Sequence, residues 1–393
     1  MKDILNNSNK RKKALFVSYS HGWNKRYQPF INALKDNYGF KTLNIVSDFN
    51  HATKKRVKNR LPGISYIHVP KYKKNLSIMR IMSLIIFAIK SMTVIKHFRP
   101  DLIYVVLPPN ILGRVCTKYI RKHSNTIFIV DIIDLWPESL PIKGYDNFFA
   151  YKLWKKMRDD CLKNADYVLT ECNLYIKTLN HILGRKKTDT LYLYKKQAES
   201  EKTVIRESSI SYKCSPSIRL AYLGSINHII SINDIVSIMQ KIKKMNIDVS
   251  IDIIGDGEKR DEFLNRLKKA GCKYTYHGIV YEQNKIAKIL CVCDYGINLM
   301  TEQVVVGLTM KSIDYFSFGL PIINNIKGDT WELVQKNDIG FNVTSGRISQ
   351  QDIEHICSRT LKKSSVFDFF DLMFSEKGYY QKVNSILISI LRT

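Results

Sequence analysis

Residues 308–324, LTMKSIDYFSFGLPIIN, read as a short helix, a Gly319-Leu320-Pro321 turn and a buried strand at Ile322–Asn324. A helix start leaves N–H groups unpaired and carries a partial positive charge, which suits a diphosphate. Lys311 falls in this helix, and Asp314 shares its face, because residues three or four apart are helical neighbours. The pattern therefore offers a cation and a helix N-terminus to phosphates and a carboxylate to sugar hydroxyls. An ordinary helix–strand pair with a surface Lys–Asp couple would produce the same letters.

Outward from this segment the chain keeps alternating strands and helices, which implies parallel sheets with helical crossovers. The first half gives strands at 14–18, 41–46, 102–106, 126–130 and Tyr167–Thr170, with helices near 27–37, Ile78–Phe98 and 148–163. A polar stretch at 195–215 interrupts the alternation and reads as an interdomain connection. The second half restarts with strands at 219–222, 249–254, 274–277 and 295–299 and helices at 233–243, 259–270 and 282–290, and a last helix spans 379–391. At 393 residues the chain exceeds the roughly 250–300 that one core supports, so two domains are expected.

The eight cysteines are scattered without C-x-x-C spacing and without clustered histidines, so reduced core thiols are expected rather than a disulfide framework or a metal site. The first residues run from polar to basic without an apolar core or small-residue cleavage site, which is not the pattern of a secretory signal. A net charge of +27 requires anionic partners. No zinc-finger spacing, aromatic RNP-type strand or Gly-x-x-Gly clamp points to nucleic acid. The cations instead gather at 54–60 and at Lys71, Lys73 and Lys74, just before the apolar Ile78–Phe98. Its densest run, 81–89, is far shorter than the ~18–20 residues that span a bilayer. The expectation is a helix lying on an anionic membrane surface, set against a packed helix of the first domain with solvated lysines nearby.

Lys311-Ser312-Ile313-Asp314-Tyr315-Phe316 followed by Gly319-Leu320-Pro321 resembles the nucleotide-sugar segment of family four (group 1) glycosyltransferases with the GT-B fold, P-S-K-x-x-E-Y-x-x-x-G-x-P. Thr309 and Met310 replace its Pro and Ser, Asp replaces its Glu, and Val306 stands where the first acid of the family's Glu-x7-Glu motif belongs. The resemblance implies an α/β fold of two Rossmann-like domains facing a central cleft: an acceptor-side domain at 1–205, a nucleotide-sugar domain at 206–375, and a helix at 376–393 crossing back onto the first. Tyr222-Leu223-Gly224-Ser225 matches the first strand and loop of the donor domain, where a glycine lets backbone N–H groups approach phosphate. Gly255-Asp256-Gly257 resembles the turn bordering the base pocket, and Tyr276-His277-Gly278 the segment whose backbone meets the base. The resemblance thus assigns donor binding to Gly224, Ser225, Gly255, His277, Gly278, Lys311, Ser312 and Asp314.

In the first half, Asp131 and Asp134 stand three apart at an expected strand end before Trp136-Pro137, where open α/β sheets place ligands. The run is similar to D-x-x-D-L-W-P-E-S of lipopolysaccharide and capsule transferases. Asp131 is expected to contact the acceptor and Asp134 to fix the Trp-Pro loop; with Lys311 they form the expected catalytic set, while Trp136 and the three lysines serve acceptor and membrane. The implied enzyme is a hexosyltransferase of surface-polysaccharide assembly, of the capsule or O-antigen type. It is expected to be retaining, to use a nucleotide-diphosphate sugar and an undecaprenyl-diphosphate-linked glycan without metal or cofactor, and to lie peripherally on the cytoplasmic face of the plasma membrane. A nucleotide-sugar epimerase on the same fold would not need the basic amphipathic helix. A noncatalytic membrane scaffold would keep that helix without binding nucleotide.

Overall fold

The short apolar runs of the sequence supply the central strands because parallel strands are covered on both faces and tolerate few polar residues. The computed structural model describes residues 11–75, 77–139, 148–197, 217–301, 306–358 and 361–391, so most of the polar connection at 195–215 lies outside the described residues. The chain divides into two units, Met1–Leu191 with Tyr380–Thr393, and Tyr192–Tyr379. The division falls earlier than residue 205 because the residues after Leu191 bond within the second unit. The Tyr192 hydroxyl donates to Asp329, and Lys195 reaches Asp314.

In the first unit the strands are β1 (Lys13–Val17), β2 (Lys41–Ser47), the short antiparallel pair β3 (Phe49–Asn50) and β4 (Lys55–Arg56), β5 (Ile64–Ile67), β6 (Leu102–Leu107), β7 (Ile127–Ile132), β8 (Tyr167–Thr170) and β9 (Lys187–Thr190). Seven of them form a parallel sheet ordered β5-β2-β1-β6-β7-β8-β9. The helices are α1 (Asn24–Asp36), α2 (Ile78–Phe98), α3 (Asn110–Ile120), α4 (Phe149–Lys163) and α5 (Asn173–Leu183). Among the described residues α2 is the one helix long and apolar enough, by length and composition, to cross a membrane. It nevertheless buries Leu84, Phe87, Ala88, Ser91 and Ile95, a stripe at helical spacing, and packs on β1, β5 and α3.

The second unit carries six parallel strands ordered β12-β11-β10-β13-β14-β15. They are β10 (Ser217–Leu223), β11 (Asp248–Ile254), β12 (Lys273–Gly278), β13 (Tyr295–Asn298), β14 (Ile322–Asn324) and β15 (Gly340–Asn342). Alternate residues feed two cores. Tyr222, Ile251, Ile253 and Ile297 join the helix Ile232–Lys244 on one face, and Ala221, Ile254 and Ile322 join Tyr315, Phe316 and Phe370 on the other. Both sheets reverse their strand order between a first strand and its neighbour, β1/β6 and β10/β13. Open α/β sheets bind ligands beyond the carboxyl ends of the strands at such a switch point.

Candidate active site

The switch point of the second unit is held open by one side chain. Tyr315, on the helix Met310–Ser317, is fully buried, and its hydroxyl accepts from the Leu223 N–H at 2.8 Å while lying 3.2 Å from the carbonyls of Ala221 and Ile297. It thereby serves β10 and β13 where their pairing ends. Gly296 makes room for it, since a Cβ there would come within 2.5 Å of the Tyr315 ring.

The same helix delivers Lys311. Its ammonium lies 4.0 Å from the centre of the Tyr222 ring, and burial pulls its pKa from 10.5 down to about 7. Among the described residues no carboxylate lies within ion-pair distance of it. The tyrosine face compensates only part of a buried charge. Gly224, at φ +124°, leaves the space Lys311 uses: a Cβ there would stand 3.3 Å from the lysine Cε. The Gly224 N–H itself is spent on Ile254 O at 2.9 Å. Gly255, at φ +138°, closes on the same loop, and a Cβ would meet Gly224 O at 1.9 Å. Ser225 stands exposed beside it, with its carbonyl accepting from the Tyr222 hydroxyl.

A chain of amides that the sequence did not announce fixes the helix start. Asn298, Asn324 and Asn342 stand in register on β13, β14 and β15. Asn298 Nδ2 donates to Asn324 Oδ1 at 2.9 Å, Asn324 Nδ2 to Asn342 Oδ1 at 2.8 Å, and Asn342 Nδ2 to Trp331 O at 2.9 Å. At the inner end Asn298 Nδ2 also reaches Ser312 Oγ, and Thr309 Oγ1 donates to Asn298 Oδ1. Thr309 caps the helix by accepting from the Ser312 N–H. Ser312, expected to touch the donor, is therefore fully buried in this network.

Two further residues of the expected donor set have partners within the second unit. Asp314 turns from Lys311 to Lys195, 2.9 Å away, so helical spacing put the pair on one face without making their side chains converge. The acid is partly exposed. His277 Nε2 bonds Asp252 at 2.7 Å. Burial alone would raise the Asp252 carboxyl, but its bonds from Arg219 and His277 outweigh this and hold it below the usual range. His277 thus braces β11 and β12. Gly278, at φ +66°, has open space around it, and its carbonyl accepts from the Gly255 N–H.

In the first unit the acceptor role expected for Asp131 does not fit its surroundings. β7 continues to Ile132, so Asp131 is its penultimate residue, paired on both sides with Val106 and Leu169. It is wholly buried. Arg26 grips it in a two-pronged contact at 2.7 and 2.8 Å, and Tyr104 donates to it at 2.7 Å. Asp134 bonds Trp136 Nε1 at 2.7 Å and the Ser139 hydroxyl, and Trp136 O receives Asn110 and Arg158. Glu171, which the sequence reading passed over, follows β8; burial, ahead of the opposing pull of Arg26, pushes its pKa up to about 7. Lys71, Lys73 and Lys74 are exposed. Among the described residues no disulfide forms and no group of three or more His, Cys, Asp or Glu is placed to hold a metal ion. A pocket lined by Ser124, Thr126, Asp166 and Lys187 opens at the amino ends of β7 to β9, the wrong edge for a ligand of such a sheet.

Residues 217–360 match the family model described as Glycosyl transferases group 1. The fold matches that of the lipopolysaccharide outer core galactosyltransferase WaaB in its apo form, with a TM-score of 0.67 at 16% identity, over 96% of this chain and 99% of that one. It also matches sucrose-phosphate synthase from Thermosynechococcus elongatus, with a TM-score of 0.63 at 12% identity over 98% and 100%. Anabaena HepE in complex with UDP gives 0.63 at 13% identity over 97% and 100%. The architecture is that of GT-B glycosyltransferases, and together with the group 1 match over residues 217–360 it supports a glycosyltransferase enzyme.

Proposed function

We propose that this enzyme transfers a sugar from a nucleotide-diphosphate donor to a lipid-linked glycan in surface-polysaccharide assembly, with retention of anomeric configuration. The observation that carries the donor assignment is the desolvated ammonium of Lys311, which has no ion-pair partner among the described residues, beside a capped helix start. A departing diphosphate brings the charge that this site lacks, and preorganised positive charge is worth most where negative charge develops. The lysine and the helix N–H groups supply that charge from the protein's own groups. HepE, solved with UDP, and WaaB, named for lipopolysaccharide synthesis, support a nucleotide sugar and an envelope acceptor. The exposed lysines ahead of α2 favour work at the cytoplasmic face of an anionic membrane, with an undecaprenyl-diphosphate-linked acceptor.

Thermal stabilisation by UDP, GDP and dTDP tests the donor site. One of the three should raise the melting temperature, and Lys311→Ala should remove most of that rise. Silence across the panel in the wild-type protein would sink the assignment.

A further inference from the structure

A second cationic centre lies in the first unit, where α2 begins. Lys54 Nζ donates to Asn75 Oδ1 at 2.5 Å, and Arg80 Nη1 donates to the carbonyl of the same asparagine at 2.8 Å, so the two cations converge on one residue. The Arg80 guanidinium stacks 4.8 Å over the Trp136 ring. His51 Nδ1 takes bonds from the Tyr72 hydroxyl at 2.6 Å and from Lys54 at 3.2 Å, which marks it as an acceptor. Burial, then Arg80 and Lys54, lower its pKa to about 4, so the imidazole adds no third charge at neutral pH.

Among the described residues neither Lys54 nor Arg80 has a carboxylate within ion-pair distance. Asp48, the nearby acid, is already occupied by Arg56 and His68. The first turn of α2 contains no acid either, although a helix start favours one. Two like charges and the positive end of a helix are thus held together, and Lys54 sits at φ +56°, a conformation uncommon outside glycine. Such unrelieved local conflicts mark functional sites.

Directly beside this centre α2 leaves an apolar face uncovered. Ile78, Met79, Ile81 and Met82 are 77, 45, 48 and 44% exposed, and the face continues to Ile89. Aqueous protein surfaces seldom keep such a patch without a partner. A cation pair at one end of an apolar strip complements an amphiphile with an anionic head and a long hydrocarbon tail.

We propose that Lys54 and Arg80 bind the diphosphate of a lipid-linked acceptor while its lipid chain lies along the Ile78–Ile89 face of α2. The assignment rests on the transferase reading above and adds the place where the acceptor's anchor docks. Recognition comes from charge-assisted hydrogen bonds at the head and apolar burial along the tail.

Calorimetry on the full chain, with farnesyl diphosphate, inorganic diphosphate and farnesol as probes, tests it. Farnesyl diphosphate should bind at least about tenfold more tightly than either fragment. Lys54→Gln and Arg80→Gln should each weaken it about tenfold, the scale of one lost charged hydrogen bond. Ile81→Asn should bring its affinity down to that of inorganic diphosphate, whereas Lys311→Ala should leave it unchanged. If Arg80→Gln fails to fold for want of its stacking on Trp136, Lys54→Gln, which leaves that stack intact, decides alone.

Binding that Lys311→Ala removes and the first-unit variants leave intact belongs to the donor site and overturns the proposal. An effect of Arg80→Gln on pelleting with phosphatidylglycerol vesicles, without one on farnesyl diphosphate, overturns it in favour of bulk lipid headgroups. A nucleotide panel run in parallel separates the two readings. Nucleotide binding with a Lys54- and Arg80-independent lipid response retires this site only. The reverse pattern keeps the site and retires the donor assignment.

Discussion

Two buried cations, Arg26 in the first unit and Lys311 in the second, sit on sheets of the same parallel order and have opposite surroundings. Arg26 is matched by Asp131 on both prongs, with Tyr104 completing the carboxylate and Leu191 O taking the remaining nitrogen. Lys311 has an aromatic face and, among the described residues, no acid at ion-pair distance. A matched buried charge holds a scaffold together, since its hydrogen-bonding capacity is spent internally. An unmatched one keeps that capacity for a ligand and lowers its own pKa while it waits. The contrast separates framework from site more sharply than residue type does, since sequence reading placed Asp131 and Lys311 together in one catalytic set.

Breaking the matched pair should have the largest effect. Asp131→Ala leaves the Arg26 guanidinium buried without its carboxylate, at a cost of about 3–5 kcal/mol in unfolding free energy. Urea melts would show it, and a midpoint near wild type would remove Asp131 from the framework.

Lys311→Met should act in the opposite sense. Affinity for the nucleoside diphosphate should drop roughly ten- to a hundredfold, as expected for charged hydrogen bonds of about 1.5–3 kcal/mol, while the free protein melts no lower than wild type. The pH dependence follows from the depressed pKa. Between about 7 and 10.5 the unfolded chain holds a proton that the native lysine has lost, so unfolding takes up protons and wild-type stability rises with pH across that window. Below about 7 the lysine is charged in both states and the cost of burying that charge is borne in full. The methionine variant should lose this rise, and an unchanged slope in thermal melts from pH 7 to 10 would count against an unpaired Lys311.

A smaller effect is expected at Asn298, which positions the helix that carries Lys311. Asn298→Ala leaves Ser312 and Asn324 short of a donor and should cost roughly 1–2 kcal/mol of stability. It should also weaken nucleotide binding, and an altered melting point with wild-type affinity would confine the amide chain to a structural part. Smallest of all is Asp314→Ala, which removes a partly exposed pair with Lys195 and should shift stability by under about 1 kcal/mol. A large loss of donor affinity in that variant would return Asp314 to the donor site.

Sequence legibility followed the same division. The alternation of β1, β2, β6, β7 and β8 with α1, α2 and α4 was readable because fully buried parallel strands are apolar runs. β9, KTDT, and β15, GFN, escaped because edge strands this short and polar carry no such signal. Lys311 was singled out through its motif. Tyr315 stood in the same motif, but its task is set by Gly296 and by strands that only the fold brings together. The amide chain had no local signature at all, since asparagine is rare in strands and only the register of β13, β14 and β15 aligns the three. The Asp314–Lys195 contact was not legible because sequence spacing fixes which face a residue occupies and not which of two lysines its carboxylate meets.

The last helix, Glu376–Leu391, buries Val383, Ile386, Leu387 and Ile390, and Lys382 bonds Asp189 near the end of the first unit's sheet. The first unit is therefore discontinuous, while Tyr192–Tyr379 is one uninterrupted stretch. On the ribosome this inverts the usual order in which the N-terminal domain finishes first. The stretch translated second has all its strands at hand as soon as it emerges, whereas the stretch translated first waits, with an apolar face uncovered, for residues made almost two hundred positions later. A released chain truncated after Tyr379 should thus expose a protease-sensitive first unit beside an already resistant second one.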